Sequence, residues 1–425
     1  MKVRRVEQHV ISRSDAKYRE IDEMAFASKN LWNLANYHSR QAFLFEKTYL
    51  RSAALYPTLK DTDAYQALPA KVANQVLIQL DKAWKSFFEA NEASQADPSK
   101  LTGRPKLPKY KHKTEGRNLL VFERGAIWKG SLKNREIAVS QLGLVALTRV
   151  QPKQVDQVRI VPRDGFYVVE VIYTCEETPA QVDKKLFVAI DLGVNVLATL
   201  TSNKPGFAPQ LVNGRPLKAL NQLYNKQRAQ AQTRLAKGKN PCHTSRFLET
   251  ITTKRNRRIM HHLHTISRRI IDLLKHEGIG TLVIGKNPFW KQEANMGKKN
   301  NQEFVQLPHA RFIEMLTYKA EAVGITVILT EESYTSKASF LDRDPLPIYK
   351  PQEGQEQEEK PRFSGTRSGR WYTVKGRAPL HADVNGSYNI GRKVFPTAFD
   401  CLGIGGTAVR PVRFTGKVSG VAVII

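Results

Sequence analysis

The chain has 425 residues, enough for two or three domains with cores of their own, and carries 67 Lys and Arg residues against 39 Asp and Glu residues. The resulting net charge of +28 repels itself unless a polyanion compensates it, so nucleic acid is the expected partner. No apolar run of about 18 residues indicates a membrane span, and no apolar segment follows the basic start as in a secretion signal. Cys175, Cys242 and Cys401 lie far apart, without the spacing of a metal site or a disulfide framework. We therefore expect a protein of a reducing interior with no membrane partner.

The first part of the chain predicts a helical domain inserted into a β-rich one. Residues 1–12 alternate between apolar and polar as in a strand, whereas from 13 to 96 apolar residues recur at the three- and four-residue spacing of helices. From 97 to 183 short β runs alternate with turns. We therefore predict a β-barrel domain formed by 1–12 and 97–183, with 13–96 as its helical insertion.

A basic, proline-containing segment spans residues 103–113. Its prolines exclude a helix, and its alternating lysines would project outward from an extended backbone, which suits a phosphate backbone. The alternative is a solvated basic linker. The candidate nucleic-acid contacts of this segment are Arg104, Lys106, Lys109, Lys111 and Lys113.

The second half predicts an RNase H-like domain. Its pattern gives three strands that turn back on one another, two long helices, a strand, a helix, a strand, an irregular insert and a last helix. We assign this domain to 184–334 and 382–425, and the insert to 335–381. The fold class is therefore a multidomain combination of α/β and α+β, in which a β-barrel with a helical insertion precedes an RNase H-like domain.

Two acids stand out in this second half. Asp191 ends an apolar, β-branched strand, and Asp383 lies near the start of the last helix. In an RNase H-like topology the first strand and the last helix are adjacent, so the two carboxylates would converge and hold a divalent metal. The alternatives are a turn cap for Asp191 and a helix N-cap for Asp383.

A third acid is needed, because a pair of divalent metals requires more negative charge than two carboxylates supply. The fourth strand ends in Gly285, which has no carboxylate, but the fifth strand ends in Glu331 and Glu332. A glutamate there could reach across the space that Gly285 leaves. Successive residues of a strand point to opposite faces, so only one of the two can serve, and a solvated strand end is the alternative for both.

A long helix near the middle of the second half carries both cations and histidines. Its histidines, His261, His262 and His264, could suggest zinc, but the surrounding cations favour phosphate contact instead. The candidate nucleic-acid contacts on this helix are Lys254, Arg255, Arg258, Arg268 and Arg269. Trp290 is a weaker candidate for stacking on a base.

Four segments together resemble TnpB, the insertion-sequence nuclease related to type V CRISPR effectors. They are residues 103–110, 190–195, 331–337 and 383–390, in this order along the chain. The resemblance implies a RuvC nuclease domain preceded by a wedge barrel with a helical recognition domain, and a target-nucleic-acid-binding insert. It also implies a guide RNA, cleavage of double-stranded DNA beside a short motif, and catalytic acids at Asp191 and Asp383.

Two departures from the family pattern matter. TnpB proteins usually carry a glutamate where this chain has Gly285, while some relatives carry one that maps to Glu332, so Asp191, Glu332 and Asp383 are the predicted catalytic and metal-binding residues. Ala338 stands where the first zinc-ribbon cysteine would be. We therefore expect Mg²⁺, or alternatively Mn²⁺, and no zinc.

Two functions remain open at this stage: a metal-dependent RNA-guided DNA endonuclease, and a guided DNA-binding protein that has lost cleavage and acts as a repressor or targeting module. A nuclease without a guide would leave the large front half unexplained. The resemblance further implies a prokaryotic, cytoplasmic, nucleoid-associated protein, with a transposase of the same element as an additional partner.

Overall fold

The computed structural model describes residues 2–98, 101, 103–237, 244–286, 305–348, 361–399 and 410–414. The chain divides into two compact units, Lys2–Glu176 and Glu177–Ile425, each with its own hydrophobic core. None of the described helices is long and apolar enough to cross a membrane. Trp290, the weaker stacking candidate, lies outside the described residues.

The first unit combines a sheet with a helical layer. Its strands are β1 (Lys2–Ser12), β2 (Leu120–Glu123), β3 (Glu136–Val139), β4 (Gly143–Leu147), β5 (Val155–Arg163) and β6 (Phe166–Glu176). Its helices are α1 (Tyr18–Phe45), α2 (Ser52–Leu59), α3 (Asp63–Gln66), α4 (Ala70–Ala96) and α5 (Lys129–Lys133), with 3-10 turns at Arg124–Ala126 and Pro152–Gln154.

The sheet of this unit has the order β1-β6-β5-β2, and all its neighbouring strands are antiparallel. The first strand therefore joins the later ones, as the sequence predicts. Strands β3 and β4 form a separate hairpin, and the described strands do not close into a ring, so the predicted barrel stays a prediction. The helical layer packs around Trp84, which is fully buried between the rings of Phe43 and Tyr49 and their aromatic neighbours.

The second unit is built on a six-stranded sheet. Its strands are β7 (Asp183–Leu192), β8 (Val196–Ser202), β9 (Gln210–Asn213), β10 (Ile279–Gly285), β11 (Thr326–Thr330) and β15 (Val412–Arg413). Its helices are α6 (Arg215–Ala236), α7 (Arg246–His276), α8 (His309–Glu321) and α9 (Ala382–Val394).

The strand order of this sheet is β11-β10-β7-β8-β9-β15. Strands β7, β8 and β9 are antiparallel neighbours, whereas β10 runs parallel to β7 and β11 parallel to β10. This arrangement of the first five strands is the one that the order of elements predicts. Strand β15, a parallel edge pairing with β9, was not predicted.

Period-two alternation divides the central strands between two cores. Val188 and Ile190 of β7 face the core formed with α7 and α8, whereas Phe187 and Ala189 face the core formed with α9. In β10, Ile284 faces the first core and Val283 the second. The next residues in alternation, Asp191 and Gly285, therefore belong to the α9 face of the sheet.

The insert between β11 and α9 contains a small antiparallel sheet that sequence periodicity does not reveal. Its strands are β12 (Gly365–Ser368), β13 (Trp371–Val374) and β14 (Leu380–His381). They are only two to four residues long, too short to show a clear alternation of apolar residues. The acidic stretch 352–359 of this insert lies outside the described residues.

Candidate active site

Asp191 lies in the centre of the sheet, between β10 and β8. It pairs with Thr199 in the antiparallel ladder. Its carboxylate points toward α9, because Oδ2 is 2.8 Å from the position that a Cβ on Gly386 would occupy. The absence of a side chain at Gly386 therefore gives the Asp191 carboxylate its room.

Helix α9 is held against this strand by its first two turns. The Ser387 hydroxyl lies 3.0 Å from the carbonyl oxygens of both Ala189 and Thr199. Asp383 lies in the first turn of the helix, and His381 occupies the N-cap position, so the N-cap alternative for Asp383 is wrong. The structure thus brings the strand of Asp191 and the helix of Asp383 together, as the topology predicts.

Glu332 reaches the same face from the neighbouring strand. Gly285 of β10 pairs with Thr330 of β11, and Glu332 follows two residues later, in the same alternation. Its Oε2 lies 2.8 Å from the position of a Cβ on Gly285, beside Ile390 Cδ1, which is 2.7 Å from that position. The carboxylate therefore occupies the space that Gly285 leaves.

Glu331 has a different partner. Its carboxylate accepts a hydrogen bond from the Lys393 amino group near the end of α9, and a second one, of 2.8 Å, from the Ser333 backbone N–H. Lys393 is almost completely buried, and burial lowers its pKa to about 8. The two adjacent glutamates are thus separated: Glu331 is part of a structural ion pair, and Glu332 faces Gly285.

The three predicted acids are electrostatically coupled. Burial raises the pKa of Asp191 well above its usual value, and the negative charges of Glu332 and Asp383 raise it further. Burial also raises the pKa of Glu332 to about 7. An excess of negative charge that shifts carboxyl pKa values in this way is what a divalent cation would neutralise.

Arg367 is a residue of this site that the sequence reasoning did not single out. It lies on β12, and its Nη2 donates a hydrogen bond of 2.8 Å to Asp383 Oδ1. The same guanidinium is close enough to Asp191 to lower the pKa of that carboxyl in part. Because Arg367 precedes Asp383 by 16 residues within an irregular segment, only the tertiary pairing of the hairpin could reveal it.

The donor set fits a hard divalent cation, since carboxylate oxygens are the ligands that Mg²⁺ and Mn²⁺ prefer. Among the residues that the structure describes, however, no three His, Cys, Asp or Glu side chains are grouped closely enough to hold a metal ion. Asp383 is instead paired with Arg367. The acids therefore share one face and one electrostatic field without forming a closed coordination shell.

The two asparagines of α9 support the loop that follows Glu332. Asn385 Oδ1 accepts a hydrogen bond of 2.9 Å from Phe340 N, and its Nδ2 donates to Ala338 O at 2.7 Å. Asn389 Nδ2 donates to Thr335 O at 2.9 Å and to Ala338 O at 2.8 Å. This polar helix face thus fixes the backbone next to the site and contributes no ligand.

The insert is held together by side-chain contacts. Asp344 Oδ2 accepts hydrogen bonds from Ser339 N at 2.8 Å and Ser364 N at 2.9 Å, which joins two distant parts of the insert. Phe340 stacks on Tyr388 with ring centroids 4.3 Å apart. These contacts give the loop at Ala338 a support that involves no cysteine.

The cations predicted on α7 lie in different environments. Lys254, Arg258 and Arg268 are exposed, Arg269 is half-buried, and Arg268 pairs with Asp272. The guanidinium of Arg255 donates to Asn221 Oδ1 at 2.8 Å and to Gln306 O at 3.0 Å, which joins α7 to its neighbours, and its contact with nucleic acid stays a prediction. The 3.6-residue period places Arg255 on the inner side of the helix, so it has a structural role.

The cations of the basic segment are mostly exposed. Arg104, Lys106, Lys109 and Lys113 are open to solvent, whereas Lys111 is half-buried with its amino group 5.0 Å from the centre of the Trp32 ring.

Two family models match the chain, from the last strand of the first unit through most of the second unit. The model described as probable transposase, OrfB_IS605, matches residues 170–289, and the Cas12f1-like TNB domain matches residues 309–390. The predicted resemblance to the TnpB family is confirmed. A comparison with curated proteins finds no match.

Solved structures similar to the chain include a Cas12f1–sgRNA–target DNA complex, with 13% identity over 88% of this chain and 83% of that chain and a TM-score of 0.48. Another is the mini-RNA-guided endonuclease CRISPR-Cas_phi3, with 10% identity over 98% of this chain and 93% of that chain and a TM-score of 0.45.

Proposed function

We propose that this TnpB-like protein is an RNA-guided DNA endonuclease of an insertion sequence, with a divalent-metal site at Asp191, Glu332 and Asp383. The observation that carries the proposal is the position of the Glu332 carboxylate over Gly285. It brings a third acid to the face that Asp191 and Asp383 already share. The match to the probable-transposase family and the net charge of +28 further support a nucleic-acid enzyme of a mobile element.

The three carboxylates would hold the metal, Mg²⁺ or Mn²⁺. When bound, it would supply Lewis-acid activation of a water and stabilisation of the leaving oxygen of a phosphodiester. The chain's own contribution is to desolvate Asp191 and Glu332, to keep Glu331 out of the site through Lys393, and to fix the strand ends through α9. Arg367 balances the charge of Asp383 in the metal-free protein.

A second function, guided DNA binding without cleavage, is favoured by one observation. Asp383 is paired with Arg367, and no trio of acids in the described part of the chain is grouped as a metal site. The retention of three coupled acids favours the nuclease, because carboxylates kept in a desolvated site without a compensating cation cost several kcal/mol. We therefore place the nuclease first.

The test of the nuclease is cleavage of target DNA by the protein purified with its own RNA. That RNA, sequenced after extraction, identifies the guide and hence the target. Cleavage should require Mg²⁺ or Mn²⁺ and should be lost in Asp191→Asn and Asp383→Asn, while both variants still bind RNA. A wild-type protein that binds guide and target but does not cut with either metal would favour the repressor.

The domain assignment belongs to the same proposal. Residues 1–12 and 97–183 would form the wedge domain, 13–96 the recognition domain, 184–334 with 382–425 the RuvC-like domain, and 335–381 a target-nucleic-acid-binding insert. The proposed partners are a guide RNA, double-stranded DNA and a transposase of the same element, in the cytoplasm of a prokaryotic cell in association with the nucleoid.

A further inference from the structure

Helix α1 carries a polar stripe that binds a peptide backbone. Its members lie three, four or seven residues apart and so share one face of the helix; they are Asp22, Lys29, Asn33, Asn36 and Arg40. In a helix of a globular protein such a row is ordinarily apolar and faces a core. Here it faces the basic segment 103–113, which we call the strap.

The centre of the strap is held by three side chains. Asn33 forms a two-way pair with Lys111, in which Nδ2 donates to the Lys111 carbonyl and Oδ1 accepts from the Lys111 N–H, both at 2.9 Å. Asn36 Nδ2 donates to Pro108 O at 3.0 Å, and Arg40 donates to the same oxygen from Nε at 3.1 Å and from Nη2 at 2.7 Å. The side chains of α1 thus replace the neighbouring strand that an extended backbone would otherwise need.

Further contacts extend this attachment along the helix. Trp32 Nε1 donates to Lys109 O at 3.3 Å, and the buried Lys29 donates to Lys113 O at 2.6 Å. Just beyond the strap, Arg117 forms a bidentate ion pair with Asp22, with distances of 2.8 and 2.7 Å. Each of these contacts, apart from the last, uses the backbone of the strap and leaves its side chains available.

The consequence is a row of cations on a fixed backbone. Lys106, Lys109 and Lys113 are exposed, whereas Lys111 is half-buried against the Trp32 ring. A solvated linker would leave its carbonyl groups to water, whereas here the carbonyls of four strap residues, Pro108, Lys109, Lys111 and Lys113, accept hydrogen bonds from side chains of α1. The strap is therefore ordered before any ligand arrives.

We propose that the strap is a preorganised site for the phosphate backbone of a nucleic acid, and that Asn33 and Asn36 are its positioning residues. The exposed lysines would contact phosphates, and the asparagines would lower the cost of binding by fixing the backbone in advance. The proposal rests on the proposed nucleic-acid role of the protein but not on cleavage. The phosphate backbone could belong to RNA or to DNA, which the experiment separates.

The first experiment measures the salt dependence of binding. Full-length protein freed of RNA is titrated, in EDTA, with a labelled RNA hairpin and separately with a labelled DNA duplex over a range of salt concentrations. The variant Lys106→Gln, Lys109→Gln, Lys113→Gln should lower the slope of log Kd against log salt by about 2, since each lost phosphate contact removes roughly 0.7–0.9. The probe whose slope falls identifies the ligand as RNA or DNA.

The matched control removes the same charge elsewhere in the same unit. Lys60, Lys82 and Lys85 are exposed residues of the helical layer, and the variant Lys60→Gln, Lys82→Gln, Lys85→Gln should change the slope much less. Equal slopes in the two triple variants, for both probes, would overturn the proposal, because the effect would then reflect net charge alone.

The second experiment separates positioning from charge. Asn33→Ala and Asn36→Ala keep every lysine, so the salt slope should stay that of the wild type while affinity falls about fivefold at all salt concentrations, the cost of ordering a loosened strap. Unchanged affinity in both variants, with the fold intact by thermal unfolding, would overturn the positioning role. Absence of cleavage by the wild type would count against the proposed nuclease and leave these slopes unaffected.

Discussion

Lys393 and Glu331 form an ion pair in which the lysine side chain is only 6% exposed. Glu331 is the first of two adjacent glutamates. The second, Glu332, points to the opposite side, where its carboxylate lies beside Gly285. Sequence alone leaves these two glutamates equivalent. The structure gives them different partners and therefore different expected phenotypes.

Glu332→Gln should abolish DNA cleavage without changing RNA binding, because it removes a proposed ligand and touches no basic surface. Glu331→Gln should leave cleavage nearly intact but lower the free energy of unfolding by about 1–3 kcal/mol, since it leaves Lys393 buried without its partner. Cleavage assays and denaturant unfolding of both variants check this. Combining Glu331→Gln with Lys393→Met should recover part of the lost stability, and loss of cleavage in Glu331→Gln alone would reverse the assignment.

A side chain at position 285 should interfere with the site. The Cβ of Gly285→Ala would lie 2.8 Å from Glu332 Oε2 and 2.7 Å from Ile390 Cδ1, so both side chains must move and cleavage should fall. In the Glu332→Ala background, Gly285→Glu together with Ile390→Val should restore some cleavage, because the carboxylate returns from the neighbouring strand and both neighbouring side chains are shortened to make room. Rates of target cleavage measure both effects. Undiminished cutting by Gly285→Ala would show that Glu332 does not need this space.

The contribution of Glu332 and Asp191 to the stability of the metal-free protein should fall as pH rises from about 4 to 7. The pKa of Glu332 is raised to about 7 by burial, and that of Asp191 is also raised, so in this window the folded protein holds protons that the unfolded chain has released. The effect of Glu332 amounts to at most about 3 kcal/mol. The free energy of unfolding, measured in EDTA across this pH range, should decrease less with rising pH in Glu332→Gln than in the wild type. An identical pH dependence in the two proteins would contradict the raised pKa.

Arg367→Gln should tighten the binding of divalent cations by about threefold to tenfold, because it removes a positive charge that competes for Asp383. Calorimetric titration of the RNA-free protein with Mn²⁺ measures this directly. Arg370→Gln, which changes a neighbouring exposed arginine of the same insert, is the control. An unchanged affinity in Arg367→Gln would mean that the ion pair does not oppose metal binding.

The insert should fold without zinc. Asp344 joins Ser339 and Ser364, so a zinc-selective chelator should leave the thermal unfolding of the protein unchanged, whereas Asp344→Ala should lower the free energy of unfolding by about 2–4 kcal/mol because it leaves backbone donors without an acceptor. Calorimetry with and without the chelator provides the measurement. A drop in melting temperature on chelation would point to a metal in the insert.

The sequence was sufficient for features that depend on periodicity. The order of strands β7 to β11 follows from the order of their apolar runs and helices. Period-two alternation requires only that one of Glu331 and Glu332 face the site, and the choice of Glu332 came from the resemblance to the TnpB family. Helices fill much of the range 13–96, as its apolar spacing predicts, and the order of helices and strands in the second unit is the predicted one.

The sequence was insufficient where a charged residue meets a distant partner. Arg367 and Lys393 both look like ordinary surface cations in the sequence, and their carboxylate partners are set by tertiary packing. Arg255 was assigned to nucleic acid because its helix is rich in cations, but its position within the helical period turns it inward. Composition can indicate what a helix binds, and only its orientation decides which of its side chains do so.

The Glu332 carboxylate lies 2.8 Å from the Cβ position of Gly285, so in its present position it leaves no room for a side chain at 285. The ends of two neighbouring strands therefore open onto one space, which a carboxylate can enter from either strand but not from both at once. Under the proposed assignment, a search for nucleases that demands an acid on the fourth strand would pass over this chain, although its acids meet on the same face of the sheet.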